Sequence, residues 1–245
     1  NRQFGPYWFE SATPTFLVNL LKERGVFTPE LTAWHSRPAL LSRFDVDDIS
    51  TDALLFQTGY LPLKDIHEEV PNRPLYELGL PNQEVEISLN EALLPALGVS
   101  HAIFDDVVIR LPRLLKAADM AGLEAHLKAL YAGLPHDWYR NNPIARYEGH
   151  YASVFYSHFA ALGVQVTVED ASHHGKVDMT VDFSGHIYLF EFKVVEQLPE
   201  GRALAQIKAR GYADKYRSTG KPIHLIGVEF SSEQRQIVAF EVGRG

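Results

Sequence analysis

Three charged residues in the C-terminal part of this 245-residue chain have the types and spacing to do chemistry together: Asp178, Glu191 and Lys193. In the run Ile187-Tyr188-Leu189-Phe190-Glu191-Phe192-Lys193-Val194, the period of two in a strand puts Leu189, Glu191 and Lys193 on one face. Tyr188, Phe190 and Phe192 take the other. A carboxylate and an ammonium on such an apolar strand cost several kcal/mol each unless they are paired, metal-bound or opened to a cleft. On the strand before it, Val177, Met179 and Val181 form the apolar face and Asp178, Thr180 and Asp182 the opposite one. A hairpin turn at Ser184-Gly185 then lets Asp178 approach Glu191, although the sequence does not fix the register.

Two carboxylates supplemented by main-chain carbonyls and water form a hard oxygen site suited to Mg²⁺ or Mn²⁺. Such a site polarises a phosphodiester and lowers the pKa of an attacking water, and Lys193 would position that water or hold phosphate charge. The competing arrangement is a plain Glu191–Lys193 ion pair with Asp178 capping a turn.

The elements that must position these residues follow from periodicity. Residues 147–162 have Tyr151, Val154, Phe155, Phe159 and Leu162 at helical spacing, ended by Gly163. Strands are expected at 164–169, 176–183 and 187–194, a helix at 202–218, and strands at 223–230 and 236–242. The order αβββαββ describes a mixed sheet flanked by helices, in the α/β (α+β) class. Residues 136–143, with Asn141-Asn142-Pro143, read as a linker. Upstream, residues 14–24 form a helix behind Thr13-Pro14, and a short helix starts near Ser50 and stops at Gly59. Residues 60–63 and 75–80 look extended, Pro81-Asn82 turns the chain, and 85–88 return as a strand. Two helical stretches fill 102–134, with Pro112 separating them or opening the second. This divides the chain into a mainly helical winged-helix-like or lid module at 1–100, a helical connector at 101–140 and a catalytic domain at 141–245.

Composition excludes several classes. There is no cysteine, hence no disulfide, thiolate metal site or cysteine nucleophile, which suits the reducing cytoplasm. No apolar run approaches the roughly eighteen residues of a membrane span. The formal net charge of −8 argues against a surface that attracts phosphate everywhere, but residues 147–245 are nearly balanced, with 10 basic and 12 acidic side chains. Arg202, Lys208, Arg210, Lys215 and Arg217 cluster there against Asp214 alone, either as a stripe for nucleic acid, with Tyr212 beside it, or as a solvated helix face.

The spacing Asp178, twelve residues, Glu191-Phe192-Lys193 resembles the (D)…(E)xK signature of the PD-(D/E)XK nuclease superfamily, and αβββαβ resembles its restriction-endonuclease-like core. Locally, Tyr147-Glu148-Gly149-His150-Tyr151, Gly175-Lys176-Val177-Asp178, and Ala203-Leu204-Ala205-Gln206-Ile207 with Gly211-Tyr212 are similar to the nuclease domain that follows an AAA-ATPase-like domain in a large prokaryotic family. Tyr7-Trp8-Phe9-Glu10-Ser11-Ala12-Thr13-Pro14, Leu54-Leu55-Phe56-Gln57-Thr58-Gly59-Tyr60-Leu61 and Pro81-Asn82-Gln83-Glu84-Val85 resemble the tail of that ATPase-like domain. The resemblance implies Asp178 and Glu191 as metal ligands, Lys193 as the catalytic lysine, Glu148 as a further acidic residue at the site and metal, and Gln206 as a helix glutamine that supports the site or touches nucleic acid. Gln206 is equally readable as a surface polar residue. Val177 stands where the nominal pattern has Pro.

The resemblance also implies hydrolysis of nucleic acid, expected to be DNA, and an ATPase-like partner domain. No GxxxxGK[ST] occurs, since Gly175-Lys176 runs into Val177 and Gly220-Lys221 into Pro222, so the chain holds no P-loop. It opens on Asn1, and the ATPase core is expected to precede it. A nuclease fold that has lost catalysis and serves as a binding or oligomerisation module is the alternative from another class. Three weaker signals are set aside. His173-His174 lacks partners at zinc spacing. Asp45, Asp47 and Asp48 lack the glycine and glutamate of a calcium loop. Tyr7, Trp8 and Phe9 read as core.

Overall fold

The computed structural model describes residues 14–24, 26, 28–42, 49–99, 101–133, 148–172 and 175–245. The Tyr7–Phe9 cluster, Asp45 to Asp48, the 136–143 linker and His173-His174 lie outside them. The chain divides into two compact units, Asn1–Ala92 and Leu93–Gly245.

In the first unit, α1 (Pro14–Glu23) buries Leu17, Leu20 and Leu21 as their spacing predicts, with Val18 beside them, whereas Phe16, expected on the same face, is 52% exposed. A three-stranded antiparallel sheet follows in the order β1-β3-β2, from β1 (Trp34–Ser36), β2 (Leu63–His67) and β3 (Leu75–Leu78). Between β1 and β2 lie α2 (Pro38–Leu41) and α3 (Thr51–Gln57). Ser36 on β1 donates to the Asp52 carboxylate of α3, so one face of the sheet is covered. The extended stretch expected at 60–63 is displaced: the strand starts at Leu63, where the expectation ended. The strand expected at 85–88 is a helix, α4 (Gln83–Ala96). Asn82 is its cap and not a hairpin turn, because its side chain accepts the Val85 N–H at 3.0 Å, and Val85 and Leu89 are then buried at i, i+4.

In the second unit, α5 (His101–Ala117) runs through Pro112, contrary to the expected break. The chain turns instead at Ala118, which takes φ 49°, and Asp119 accepts the Gly122 N–H at 2.9 Å to start α6 (Met120–Ala132). Leu111, Leu115, Leu123 and Leu127 of these helices share a core with Tyr151, Phe155 and Phe159 of α7 (Glu148–Ala160). The same core takes Met179, Val181, Tyr188, Phe190, Phe192, Ile226, Val228 and Phe230 from one face of a five-stranded sheet. That sheet has the order β4 (Gln165–Ser172), β5 (Gly175–Phe183), β6 (His186–Val195), β7 (Ile223–Ser231), β8 (Gln236–Arg244). Only the β6–β7 pair is parallel, as a crossover helix between them requires. The turn from β5 to β6 is the expected Ser184-Gly185, both at positive φ (51° and 85°), the two-residue geometry that suits strand twist.

The crossover helix α8 (Arg202–Arg210) lies on the opposite face, where Ile187, Leu189, Ile207, Tyr212, Ala213, Ile223 and Leu225 form a second core. It is shorter than the expected 202–218, because Gly211 adopts the left-handed conformation (φ 58°) and the chain continues as a 3-10 helix, Tyr212–Thr219. The result is a mixed α+β sheet flanked by helices, consistent with the restriction-endonuclease-like PD-(D/E)XK fold. No helix among the described residues is long and apolar enough to cross a membrane.

Candidate active site

The register places the candidate residues. The β5–β6 ladder runs from Phe183↔His186 to Met179↔Phe190, so Thr180 stands opposite Leu189 on the α8 side. One step further, Asp178 and Glu191 fall level with each other. There the Asp178 carboxylate takes the Phe192 N–H at 2.8 Å, a bond from side chain to main chain where the ladder would continue. That bond fixes Asp178 beside Glu191. Asp182, which shares its strand face, is held instead by Lys221 and belongs to a different end of the sheet.

Glu191 is 1 % exposed. Its Oε1 accepts from Gln206 on α8 and lies 3.3 Å from Lys193 Nζ. Its Oε2 is buried and has no hydrogen-bond partner among the described residues. Burial first, and the Asp178 charge second, push the Glu191 carboxyl up to about 7, against the pull of Lys193. A buried carboxylate oxygen without a donor normally costs 1–3 kcal/mol or more, so this site is incomplete as a purely structural ion pair. Lys193 keeps a quarter of its side chain exposed, so its charge reaches the surface at the point where Glu191 is buried.

Two residues that sequence reasoning passed over position this cluster. Gly227 pairs with Glu191 across β6–β7. A Cβ there would stand 2.3 Å from the Leu204 nitrogen and 2.8 Å from its Cα, so only glycine lets α8 lie this close to β7. Glu229 pairs with Lys193 in the same register and is fully buried. It accepts the Glu200 N–H at 2.6 Å, the Arg202 N–H at 2.7 Å and the Ala203 N–H at 3.4 Å, which caps α8 from a neighbouring strand. Although burial alone would raise it, these main-chain donors hold its carboxyl below the usual range. Gly227 thus sets how close α8 lies, Glu229 pins its first turn, and Gln206, one turn on, meets Glu191. Both residues had a signal: a lone Gly and a lone Glu inside the stretch Leu225 to Phe230, apolar apart from them.

The remaining expected residues are spread more widely. Glu148 begins α7, and its side chain lies outside what the structure describes. Arg202 is paired to Glu200 at 2.5 Å, Lys208 and Arg210 are exposed on α8, and Tyr212 is buried at 4 % in the core beneath it. A cleft of about 640 Å³ opens beyond β6, but Glu196, Glu200 and Glu233 outnumber Arg202 in its lining. That lining repels phosphate, whereas the exposed Lys208 and Arg210 of α8 carry positive charge.

The chain is similar to a protein of Azotobacter chroococcum named only as an uncharacterized protein in the vnfD 5′ region, 58% identical over 241 residues. The match covers 98% of this chain and 46% of that protein, so the chain spans about half the length of the curated relative it matches. No solved structure matches it. Residues 146–240, the stretch that carries Asp178, Glu191, Lys193 and Gln206, match the family model of the PD-(D/E)XK nuclease superfamily.

Proposed function

We propose that the second unit is a divalent-metal-dependent nuclease that hydrolyses phosphodiester bonds of nucleic acid, with DNA as the expected substrate. The observation that carries this reading is the Glu191 Oε2 atom, buried and without a hydrogen-bond partner among the described residues, beside a second carboxylate, Asp178. The donor set fits Mg²⁺ or Mn²⁺: two carboxylates on neighbouring strands, hard oxygens only, and no thiolate anywhere in the chain. Asp178 and Glu191 would hold the ion, with Glu148 as a further acidic candidate from α7. A bound ion of this kind supplies Lewis acidity at a phosphoryl oxygen and a water of lowered pKa.

The chain's own residues have separable tasks. Gln206 donates to Oε1 and so leaves Oε2 as the coordinating atom. The Phe192 N–H holds the Asp178 carboxylate on the neighbouring strand at the level of Glu191. Glu191, protonated up to about pH 7, must give up its proton to become a ligand. Lys193, 3.3 Å from Glu191 and partly exposed, offers a positive charge to a phosphate oxygen or orients the attacking water. Lys208 and Arg210 extend that charge along α8 toward the nucleic-acid backbone. Coupling to an AAA-ATPase-like region, in a protein of the relative's length and in the cytoplasm, completes the proposal.

Calorimetric titration with Mn²⁺ tests the site. The parent chain is expected to bind Mn²⁺, with binding lost in Asp178→Ala and Glu191→Gln. Binding unchanged in both variants would remove the basis for the reading.

A further inference from the structure

We propose that the open face of the small sheet in the first unit is a second, chemically different metal site, in which His35, His67 and Glu77 bind Zn²⁺. Each of the three strands supplies one ligand. His35 on β1 stands directly opposite Glu77 on β3, and His67 on β2 is its diagonal neighbour, since His67 pairs with Leu75 and Asp65 with Glu77. All three side chains therefore leave the same face of the sheet. The other face, with Ser36 bonded to Asp52, is the covered one.

The distances suit one small ion. His67 Nε2 lies 2.8 Å and His35 Nε2 3.8 Å from the same carboxylate atom, Glu77 Oε2. One ligand atom from each residue falls within 4.8 Å of the other two. Bonds of about 2.0–2.2 Å to a tetrahedral ion put neighbouring ligand atoms roughly 3.4 Å apart. The two separations from Glu77 Oε2 bracket that value and the third is within 4.8 Å, so modest side-chain adjustment brings the three ligand atoms round one ion. The His35 and His67 rings lie 5.9 Å between centres, tilted by 44°, and both place Nε2 within 4 Å of Glu77 Oε2. Asp65 shares the face but turns its carboxylate to the Ile66 N–H at 2.8 Å, which leaves a three-ligand set. The side chains of His35, His67 and Glu77 are 48%, 40% and 28% exposed, so a fourth position stays open to water or an exogenous ligand.

Ligand chemistry separates this site from the first. Two imidazoles and one carboxylate favour Zn²⁺ over Mg²⁺, whereas Asp178 and Glu191 offer only hard oxygens. The ion would also act as a clip. β1 has three residues and β3 four, and a bond from residue 35 to residue 77 closes a long loop across them.

The experiment titrates the full chain, stripped with chelator, with Zn²⁺ by calorimetry and with Co²⁺ as a visible-absorption probe, in an Asp178→Ala background that disables the other site. One equivalent of Zn²⁺ is expected to bind, with Co²⁺ giving the intense visible bands of a four-coordinate site. His35→Ala and His67→Ala should each weaken Zn²⁺ by more than the roughly 10–100-fold lost when only an outer-shell partner is removed. His67→Gln provides the same reading if His67→Ala folds poorly. Zn²⁺ should raise the thermal midpoint of the parent and leave that of the His35→Ala/His67→Ala double variant unchanged. Absence of Zn²⁺ binding in the Asp178→Ala background, or binding that survives loss of both histidines, would overturn the proposal without touching the nuclease reading.

Discussion

Replacing Gly227 by Ala adds one methyl group to the sheet and should displace α8. The new Cβ would meet the Leu204 nitrogen at 2.3 Å, the Leu204 Cα at 2.8 Å and its Cβ at 2.9 Å. Ordinary contact begins near 3.4 Å, and the nearest obstacles are helix backbone, so α8 must withdraw by about 1 Å. Gln206, two residues after Leu204, moves with it and its bond to Glu191 lengthens beyond useful range. Overpacking of this kind costs about 1–3 kcal/mol, which lowers the thermal midpoint of a domain this size by roughly 2–12 °C. Without the clash the sign would be reversed, because Ala in a strand gains about 0.5–1 kcal/mol over Gly. Gly243→Ala is the control. Its Cβ meets Lys208 Cε at 3.0 Å on the same helix, and that is the far end of a flexible side chain. Thermal melts and Mn²⁺ titrations of both variants decide the matter: Gly227→Ala should melt lower and bind Mn²⁺ more weakly, and Gly243→Ala should behave as the parent. A Gly227→Ala protein as stable as Gly243→Ala, with parental Mn²⁺ affinity, would refute the close approach of α8 as the device that sets the site.

Three further outcomes follow from the site's electrostatics. Glu191, raised from 4.5 to about 7, contributes stability that is complete below about pH 4.5 and lost as pH rises through about 7, on the order of 3 kcal/mol. Glu191→Gln should therefore be more stable than the parent at pH 8 by denaturant titration, and the apparent Mn²⁺ affinity of the parent should fall about tenfold per unit below pH 7; a flat affinity between pH 6 and 8 speaks against a protonated Glu191. Glu229 has the opposite sign, because its lowered carboxyl gives stability present above about 4.5 and lost as pH falls through its folded value. Glu229→Ala should lose roughly 2–4 kcal/mol at neutral pH by denaturant titration, with α8 opening first in hydrogen exchange. Lys193→Met should keep Mn²⁺ binding and lower cleavage by a hundredfold or more; loss of binding instead would make Lys193 a structural partner of Glu191.

How much of this was legible in the sequence depends on the range of the interaction. Strand alternation alone separated Leu189, Glu191 and Lys193 from Tyr188, Phe190 and Phe192, and the structure puts the two sets on opposite faces of the sheet. The mixed sheet and the Ser184-Gly185 turn are local or topological facts, and they were readable for that reason. Register was not, because nothing within one strand specifies its partner, and so the bond from Phe192 to Asp178 appears only in three dimensions. Gly227 and Glu229 were visible as anomalies in an apolar strand, but their meaning lies in α8, a helix some twenty residues away. Val85 to Ser88 misled through β-favouring residues, where the Asn82 cap and the burial of Val85 and Leu89 made a helix. Tyr212 looked available to nucleic acid beside a basic run, yet the turn at Gly211 carries it under the helix into the core. His35, His67 and Glu77 carry no spacing motif, because three separate strands bring them together.

The nuclease site is decided by cleavage of supercoiled duplex DNA and circular single-stranded DNA in Mg²⁺ or Mn²⁺, with the parent chain, Asp178→Ala and Lys193→Ala prepared identically. Cleavage by the parent alone is the expected result. Equal cleavage by all three, or none by a parent that also fails to bind Mn²⁺, would contradict it.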